Sequence, residues 1–194
     1  MAVWSFMREF ARHPAKLGAV APSGEDLARR TVEAAQILPG HVVVELGAGT
    51  GPMTAQIVTN YPRNPFHAVE PNPKLAQKLR DKYPEVPVAE TYAQDLPELV
   101  AAWGHPQVDR IVSGLPFAIW PGYVQEACFH GICDALADDG RMVTFTYVHA
   151  QMLPAAKRLR ERLRHHFGSV RKSRVTWANL PPAFVFVCDE PLRR

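Results

Sequence analysis

Three glycines and a carboxylate downstream of them form the pattern in this chain that is best suited to chemistry. Gly47, Gly49 and Gly51 follow the valine run 42–44, and Glu70 comes nineteen residues after Gly51. Glycines at a strand end let the backbone pass close to a ligand, and an acidic side chain after the next strand accepts hydrogen bonds from ribose hydroxyls. The pattern therefore predicts a site for a nucleoside cofactor at the end of the first strand.

The spacing of these glycines separates two kinds of nucleoside cofactor. A dinucleotide-binding fingerprint places its third glycine or alanine three residues after the second, and Pro52 stands at that position. The glycines fall instead at every second residue, which resembles the motif of S-adenosylmethionine (AdoMet)-dependent methyltransferases. That resemblance implies AdoMet as the cofactor and S-adenosylhomocysteine as the product. A chance glycine cluster at a strand end is the alternative.

The composition is typical of a soluble globular protein. The 194 residues suffice for one domain with a hydrophobic core, and 47% of them are apolar and 21% charged. Charges interrupt the apolar residues at the N-terminus, which argues against a signal peptide, and no apolar stretch is long enough to span a membrane. The net charge of +3 favours an anionic surface without choosing between lipid and nucleic acid.

The cysteines indicate a reducing compartment. Their number is odd and their spacing suits neither a metal site nor a redox motif; they are Cys128, Cys133 and Cys188. The sequence therefore predicts reduced thiols in a cytoplasmic protein and no bound metal.

Beyond the N-terminal segment, predicted strands and helices alternate along the chain. Strands are predicted at 41–46, 66–70, 86–89, 108–113 and 141–147. Helices are predicted at 24–36, 51–60, 73–83, 97–103, 123–136 and 153–167. Such alternation predicts a parallel sheet covered by helices on both faces. The last two strands, 170–177 and 183–188, are joined by a connection too short for a crossover helix, so we expect them to pair antiparallel.

This order of elements resembles the Rossmann-like class I AdoMet-dependent methyltransferases. It implies an α/β fold with a mostly parallel seven-stranded sheet and a C-terminal antiparallel hairpin. Residues 24–194 are expected to form the methyltransferase domain, preceded at 1–23 by an amphipathic helix and a loop that covers the cofactor. Ligands are expected at the carboxyl ends of the strands, near the point where the strand order reverses.

The segment 3–13 separates apolar from polar residues when it is placed on a helical wheel. Its apolar side consists of Val3, Trp4, Phe6, Met7, Phe10 and Ala11. Its polar side consists of Ser5, Arg8, Glu9, Arg12 and His13. Such a helix can lie in a lipid interface, or it can dock on the domain's own core or on a partner. Further on, Ser23 and Asp26 predict a capping box for the helix 24–36.

The predicted cofactor site is built from the ends of the first two strands. Glu45 would face the cationic end of AdoMet, and Gly47 and Gly49 would admit its methionine portion. Thr50 lies near the N-terminus of the next helix, where its backbone N–H can meet a carboxylate. Glu70 would bind the ribose hydroxyls.

The third strand is expected to supply the contact with adenine. Many relatives of this fold place an aspartate just beyond that strand, where this chain has Tyr92 and Ala93. Adenine would then be bound by the backbone of Ala93 and the ring of Tyr92, or Asp95 would substitute; a surface tyrosine without a cofactor role is the alternative. Ser113, at the end of the fourth strand, completes the predicted cofactor set.

The segment after the fourth strand is the predicted acceptor site. Leu115-Pro116-Phe117 resembles the Asn-Leu-Pro-Phe motif of the ribosomal RNA adenine dimethylases, in which the asparagine holds the exocyclic amine and the aromatic ring stacks on the base. This chain has Gly114 where that asparagine would stand. The departure argues against a nucleobase substrate.

A second resemblance extends over nearly the whole chain. The segments 17–23, 113–116, 145–147 and 177–183 are similar to the short bacterial phospholipid N-methyltransferases, and the last is the most specific of them. The resemblance implies methylation of the phosphatidylethanolamine amine, in some relatives through to phosphatidylcholine. It also implies binding to an anionic membrane through the N-terminal helix, with Trp4, Phe6, Met7, Arg8, Phe10 and Arg12 in contact with lipid. We therefore expect a cytoplasmic protein, peripheral on the inner face of the plasma membrane, with no nucleic-acid partner.

The acceptor chemistry fits the residue types near the strand ends. An alkyl ammonium titrates at about pH 10, so it must lose a proton before attack, and an apolar, cation-bearing site favours that loss. Aromatic faces can hold the methylated head group; the predicted substrate contacts are Leu115, Phe117, Trp120 and Trp177. Tyr147 and Asn179 are the predicted catalytic residues, which would orient the amine or accept its proton, and His149 is a weaker candidate. The alternative is that the rings of Phe117, Trp120, Tyr147 and Trp177 fill the core.

The basic run 157–164 permits two interpretations. Leucines at helical spacing beneath it predict a core-facing stripe with the charges on the solvated face, although the charges could also face anionic lipid. Two other functions stay open on sequence alone. One is RNA adenine N6-methylation, and the other is AdoMet binding at a membrane without turnover.

Overall fold

The computed structural model describes Val3, Ser5, Phe6, Arg8, Glu9, residues 24–148, residues 154–177, Asn179 and residues 181–193. Within these residues the strands are β1 (Val43–Leu46), β2 (Phe66–Val69), β3 (Val88–Ala89), β4 (Val108–Ser113), β5 (Leu136–Tyr147), β6 (Phe167–Lys172) and β7 (Ala183–Pro191). The helices are α1 (Glu25–Ala34), α2 (Pro52–Asn60), α3 (Pro73–Lys82), α4 (Leu96–Ala102), α5 (Gly122–Ala135) and α6 (Pro154–His166). Short 3-10 turns lie at Ala93–Asp95 and Phe117–Ile119.

The strands form a mixed sheet in the order β3-β2-β1-β4-β5-β7-β6. The first five strands are parallel, and β7 is antiparallel to both β5 and β6. This confirms the predicted parallel sheet with an antiparallel C-terminal hairpin. Because the order reverses between β1 and β4, the carboxyl ends of β1, β2 and β4 meet at one edge of the sheet.

Helices cover both faces of the sheet because the buried strands are apolar on both sides. On one face Ala28 and Val32 of α1, together with Ile57 of α2, pack against Val43 and Val143. On the other face, residues of α4, α5 and α6 pack against the sheet; they include Val100, Phe129, Leu159 and Leu163. Leu159 and Leu163 are buried while Lys157, Arg158 and Arg164 are exposed, as predicted for a solvated basic face.

Several predicted boundaries are wrong. The helix α1 begins at Glu25 with Gly24 as its N-cap and without a side-chain cap hydrogen bond, and Asp26 pairs with arginines of the next turn. Ser23, the other residue of the predicted capping box, lies outside the described residues. The strand β5 begins at Leu136, five residues before the predicted start, because an irregularity in its pairing with β4 absorbs the intervening residues. The strand β6 runs from Phe167 to Lys172, since α6 ends directly before it.

The described part of the N-terminal segment is helical and packs on the domain. Val3 and Phe6 lie against the large core cluster, and the Phe6 ring meets the edge of the Trp120 ring at 6.3 Å between centroids. Ser5, Arg8 and Glu9 are exposed. The lipid contacts predicted for Trp4, Met7, Phe10 and Arg12 fall outside the described residues. None of the helices in the described ranges is long and apolar enough to cross a bilayer.

Candidate active site

The glycine turn after β1 brings the backbone close to its neighbours. Gly47, Gly49 and Gly51 adopt positive φ angles of 72°, 59° and 83°, which L side chains rarely adopt. A Cβ at Gly47 would lie 2.6 Å from a methyl carbon of Leu115, and one at Gly51 would lie 2.9 Å from a methyl carbon of Leu79. All three glycines are therefore required for their conformation, and Gly47 and Gly51 are required for close packing as well.

Glu70 closes one side of this turn. Its side chain is buried at the end of β2, where Oε2 accepts a 2.8 Å hydrogen bond from the Gly49 N–H and Oε1 accepts one of 2.9 Å from the Asn72 N–H. Burial raises the pKa of this carboxyl group. The two backbone donors fix its orientation, and each oxygen keeps a further acceptor site that a hydroxyl group can use.

Glu45 lies beneath the turn with one oxygen unsatisfied. The side chain is fully buried, and Oε2 accepts a 2.6 Å hydrogen bond from the Thr54 hydroxyl at the start of α2. Oε1 has no hydrogen-bond partner among the residues that the structure describes. Burial raises the pKa of Glu45 to about 8. A buried carboxylate with an unpaired oxygen is costly alone and is stabilised by a cation, which fits the cationic end of AdoMet.

Some residues predicted to contact adenine contact other protein groups in the structure. The Asp95 carboxylate accepts a 2.7 Å hydrogen bond from the Thr91 hydroxyl, whereas Ala93 is buried and Tyr92 packs against the core. Both Ala93 and Asp95 stay predictions as the contact with adenine. Thr50 is exposed on the turn, in reach of solvent and ligand.

The segment 114–120 after β4, called the acceptor turn below, packs directly on the glycine turn. The Gly114 N–H donates a 2.8 Å hydrogen bond to the Leu46 carbonyl, and Ser113 Oγ accepts a 3.2 Å bond from the Leu115 N–H. A Cβ at Gly114 would lie 2.8 Å from the carbonyl oxygen of Gly47 and 2.9 Å from Cε of Met53. Gly114 is therefore required for the close approach of the two turns, and an asparagine does not fit there without displacement.

The rings of the acceptor turn face the core. Phe117 and Trp120 are 1% and 4% exposed, with their ring centroids 5.5 Å apart. Phe117 also contacts Phe129 of α5 at 4.8 Å between centroids. Phe117 and Trp120 therefore fill the core, which is the alternative to a substrate contact, and Leu115 is likewise buried. The buried Gln125 holds the turn by donating to the carbonyls of Phe117 and Trp120 at 2.8 and 2.9 Å.

The two predicted catalytic side chains lie at the carboxyl edge of the sheet. Tyr147 ends β5, packs with Leu27 and Ala183, and has its pKa raised by burial. Asn179, in the connection before β7, accepts a 3.2 Å hydrogen bond from the Gly24 N–H and donates one of 2.7 Å to the Pro181 carbonyl. Its amide therefore ties that connection to the start of α1. His149 falls outside the described residues.

Trp177 differs from the other predicted substrate contacts. It is 71% exposed in the connection before β7, at the same edge of the sheet. Ile119, within the acceptor turn, and Tyr123, which follows it, are 46% and 48% exposed. The sequence gives no signal that distinguishes these surface side chains from the buried Phe117 and Trp120.

Thr54 and Gln125 were not predicted from the sequence. Thr54 carries the weak signal of a hydroxyl residue in the first turn of the helix that follows the glycines. Gln125 carries none, because its partners are backbone carbonyls that any residue would supply.

The sheet order and the glycine turn with its two carboxylates define a Rossmann-like, AdoMet-dependent methyltransferase. Human methyltransferase-like protein 13 in complex with S-adenosylhomocysteine shares this fold, with a TM-score of 0.59 and 17% identity over 85% of this chain and 78% of that chain. No protein-family model matches the chain. The cofactor is AdoMet, which supplies a methyl group bound to a positively charged sulfur.

Two relatives narrow the class. The chain is 32% identical to an ornithine lipid N-methyltransferase from Singulisphaera acidiphila over 94% of its own length and 93% of that protein. It is 33% identical to ribosomal RNA small subunit methyltransferase A from Chlorobium phaeobacteroides over 54% of its own length, but 37% of that protein. The chain belongs to the family of bacterial lipid N-methyltransferases, which is related to the ribosomal RNA adenine dimethylases.

The described residues fit the cofactor. Gly47 and Gly49 leave the turn without side chains, Glu70 offers oriented acceptors for ribose hydroxyls, and the unsatisfied Oε1 of Glu45 suits a positive charge. The acceptor turn, which Gly114 holds against the glycine turn, can position a substrate nitrogen beside the cofactor site. Methyl transfer then depends mainly on alignment of nitrogen, methyl and sulfur.

Proposed function

We propose that this protein transfers methyl groups from AdoMet to the primary amine of a membrane lipid. Ornithine lipid is the first candidate, because the similarity to an ornithine lipid N-methyltransferase covers nearly the full length of both proteins. Phosphatidylethanolamine is the second, because segments 113–116 and 177–183 resemble the phospholipid N-methyltransferases. The two lipids share the chemistry that the site would use, a primary alkyl amine on a bilayer-anchored molecule.

The acceptor turn supports an amine over a nucleobase. In the RNA dimethylase motif an asparagine orients the planar amine, and a Cβ in place of Gly114 would lie 2.8 Å from the Gly47 carbonyl oxygen. An alkyl amine needs no planar clamp, because its own lone pair attacks once the ammonium proton is lost. An apolar surrounding favours the neutral amine, and Leu115 contributes to that surrounding.

The exposed apolar side chains at the carboxyl edge support entry from a lipid surface. Ile119 and Tyr123 follow β4 and Trp177 follows β6, and both strands end at the edge of the sheet that carries the glycine turn after β1. A bilayer against these side chains would present head groups to the site. Tyr147 and Asn179 would act at the same edge, with the Tyr147 hydroxyl as the group that orients the amine.

The N-terminal segment is proposed as the second membrane contact. In the structure Phe6 packs on Trp120, so insertion into lipid would exchange this protein contact for acyl chains. Arg8, which is exposed, would meet lipid phosphates. Binding at the inner face of the plasma membrane would follow from this contact, with residues 1–23 covering the cofactor.

The substrate is tested by incubating the protein and labelled AdoMet with vesicles and with RNA. Vesicles of phosphatidylglycerol with ornithine lipid, the same with phosphatidylethanolamine, and phosphatidylglycerol alone separate the head groups, and ribosomal RNA tests the alternative acceptor. We expect label in an amine lipid and none in amine-free vesicles or RNA. Label in RNA alone would replace this proposal, and AdoMet binding with no labelled product would indicate a non-catalytic protein.

The membrane contact is tested by deleting residues 2–13. We expect loss of vesicle co-sedimentation with little change in AdoMet affinity, because the glycine turn lies elsewhere. Phe6→Ala and the matched surface change Ser5→Ala separate the apolar side of the helix from its polar side. Vesicle binding that survives the deletion would rule out this role for the segment.

A further inference from the structure

Two histidines and a glutamate converge where α5 meets the end of α6. Glu126 and His130 are one helical turn apart on α5, and His166 is the last residue of α6. One ligand atom from each lies within 4.8 Å of the other two. Glu126 Oε1 is 3.0 Å from His166 Nε2 and 3.7 Å from His130 Nε2, so one carboxylate oxygen faces both imidazoles.

We propose that Glu126, His130 and His166 bind a divalent transition-metal ion, and that Zn²⁺ is the ion whose preferences they match best. Zinc takes imidazole nitrogen and carboxylate oxygen, and sites with three protein ligands leave a fourth position for water. Two ligands at positions i and i+4 of one helix project from the same face, and the third comes from a neighbouring helix. The proposed metal site is separate from the glycine turn, and the proposal does not depend on the identity of the methyl acceptor.

The protein holds this arrangement largely ready. His166 is 1% exposed and its ring packs 5.6 Å from that of Phe129, while its backbone carbonyl accepts a hydrogen bond from the Cys133 thiol. Arg162 lies 3.7 Å from the other oxygen of Glu126, which leaves Oε1 directed at the two histidines. Little side-chain order would have to be gained on binding, because core packing already fixes one ligand.

The contacts of the His166 ring show what metal binding would change. Its Nε2 lies 3.0 Å from a Glu126 oxygen, and because a carboxylate can only accept, this nitrogen carries the ring proton in the metal-free protein. Its Nδ1 is buried with no hydrogen-bond partner among the described residues. Coordination through Nε2 would place the proton on Nδ1.

A bound ion would join two helices that serve different parts of the enzyme. The helix α5 follows the acceptor turn and carries Gln125, which holds that turn, whereas α6 precedes the antiparallel hairpin. No pattern in the sequence predicts this pairing, since Glu126 and His166 are 40 residues apart. We infer a structural ion rather than a catalytic one.

The test is metal titration of tag-free, chelator-treated protein. Zn²⁺ is followed by calorimetry and Co²⁺ by its absorption spectrum, which reports tetrahedral nitrogen and oxygen ligands. We expect one equivalent of metal and a concentration-dependent rise in melting temperature. Nitrogen-15 NMR of the His166 ring should show its proton on Nδ1 in the metal-bound protein.

Matched variants test whether Zn²⁺ binds at Glu126, His130 and His166. His130→Ala and Glu126→Gln, both at partly exposed positions, should each weaken Zn²⁺ binding at least about tenfold, whereas His165→Ala, the exposed neighbour of His166, should leave it unchanged. His105→Ala tests the other close histidine pair, in which the Nε2 atoms of His67 and His105 are 3.2 Å apart. Loss of binding in that variant, equal binding in all four, or no stoichiometric binding in the parent protein would overturn the proposal.

Discussion

The backbone N–H of Gly49 donates a 2.8 Å hydrogen bond to Oε2 of Glu70, which ties the turn after β1 to the end of β2. The carboxylate is also held by the Asn72 N–H at 2.9 Å. Both bonds come from the backbone, so the orientation of Glu70 is set by the fold before any ligand arrives. The ribose side of the cofactor site is therefore preorganised.

Replacing Glu70 tests this arrangement directly. We expect Glu70→Ala to weaken AdoMet binding at least about tenfold, because hydrogen bonds to a charged group contribute about 1.5–3 kcal/mol. Calorimetric titration of AdoMet measures the effect, and Glu85→Gln, at an exposed position, serves as the control. An unchanged affinity in Glu70→Ala would remove the ribose contact from the model of the site.

Gly114→Asn tests whether the acceptor turn can accept the residue of the RNA dimethylases. A Cβ there would lie 2.8 Å from the Gly47 carbonyl oxygen, so we expect a loss of about 1–3 kcal/mol in the free energy of unfolding, as for other overpacked sites. Urea denaturation gives this value. Gly40→Asn gives a comparison without overpacking, because a Cβ there meets no atom within 4 Å, although its φ of +87° adds backbone strain that Gly114 does not have.

The same variant distinguishes two accounts of substrate choice. We expect Gly114→Asn to gain no methylation of RNA, because the turn would have to move to admit the side chain. Stability equal to that of the parent protein, or a new RNA activity, would contradict the role assigned to Gly114.

The parts of the fold that the sequence predicts well are those with a local pattern. The strand β4 has the bounds that the sequence predicts, since it ends in the apolar pair Ile111-Val112 directly before the Ser113-Gly114 turn. The early start of β5 was missed because Asp138-Asp139-Gly140 has the composition of a turn, and only pairing with β4 on both sides of an irregularity makes it part of the strand.

The same distinction applies to the site. The positions of the glycine turn and Glu70 follow from spacing along the chain, and the structure brings them together. The burial of Phe117 and Trp120 does not follow, because aromatic residues after a strand have the same pattern whether they face the core or a substrate. No local pattern encodes Gln125, because it binds backbone carbonyls that any residue would supply, or His166, because its partner Glu126 is 40 residues away.

Glu45 makes stability depend on pH. Its pKa is raised from 4.5 to about 8, so between these values the folded cofactor-free protein retains a proton that the unfolded chain has released. The free energy of unfolding should therefore fall as pH rises through this window. Glu45→Gln should remove this pH dependence. Its free energy of unfolding relative to that of the parent protein should therefore be higher at pH 8 than at pH 5, as measured by urea denaturation.

Cofactor binding should show the opposite linkage at the same residue. A cation beside Glu45 favours the ionised carboxylate, so AdoMet binding should release protons and strengthen as pH rises toward about 8. Calorimetry in buffers of different ionisation enthalpy counts the protons. Glu45→Gln supplies the comparison, because it lacks the titrating group; identical proton release in both proteins would contradict the assignment.

Gln125 connects the acceptor turn to both helices behind it. Its amide N–H groups donate to the carbonyls of Phe117 and Trp120, and its oxygen accepts a 3.1 Å bond from Arg162 of α6. Gln125→Ala would leave two buried carbonyls without this donor, so we expect a loss of about 1–3 kcal/mol in unfolding free energy.

We also expect Gln125→Ala to raise the KM for the lipid with a nearly unchanged affinity for AdoMet, because the acceptor turn loosens while the glycine turn does not. Gln107→Ala, which removes a single 3.3 Å bond to the Leu136 carbonyl away from the turn, is the control. If both variants changed the lipid KM equally, the effect would come from general destabilisation and not from the position of the acceptor turn.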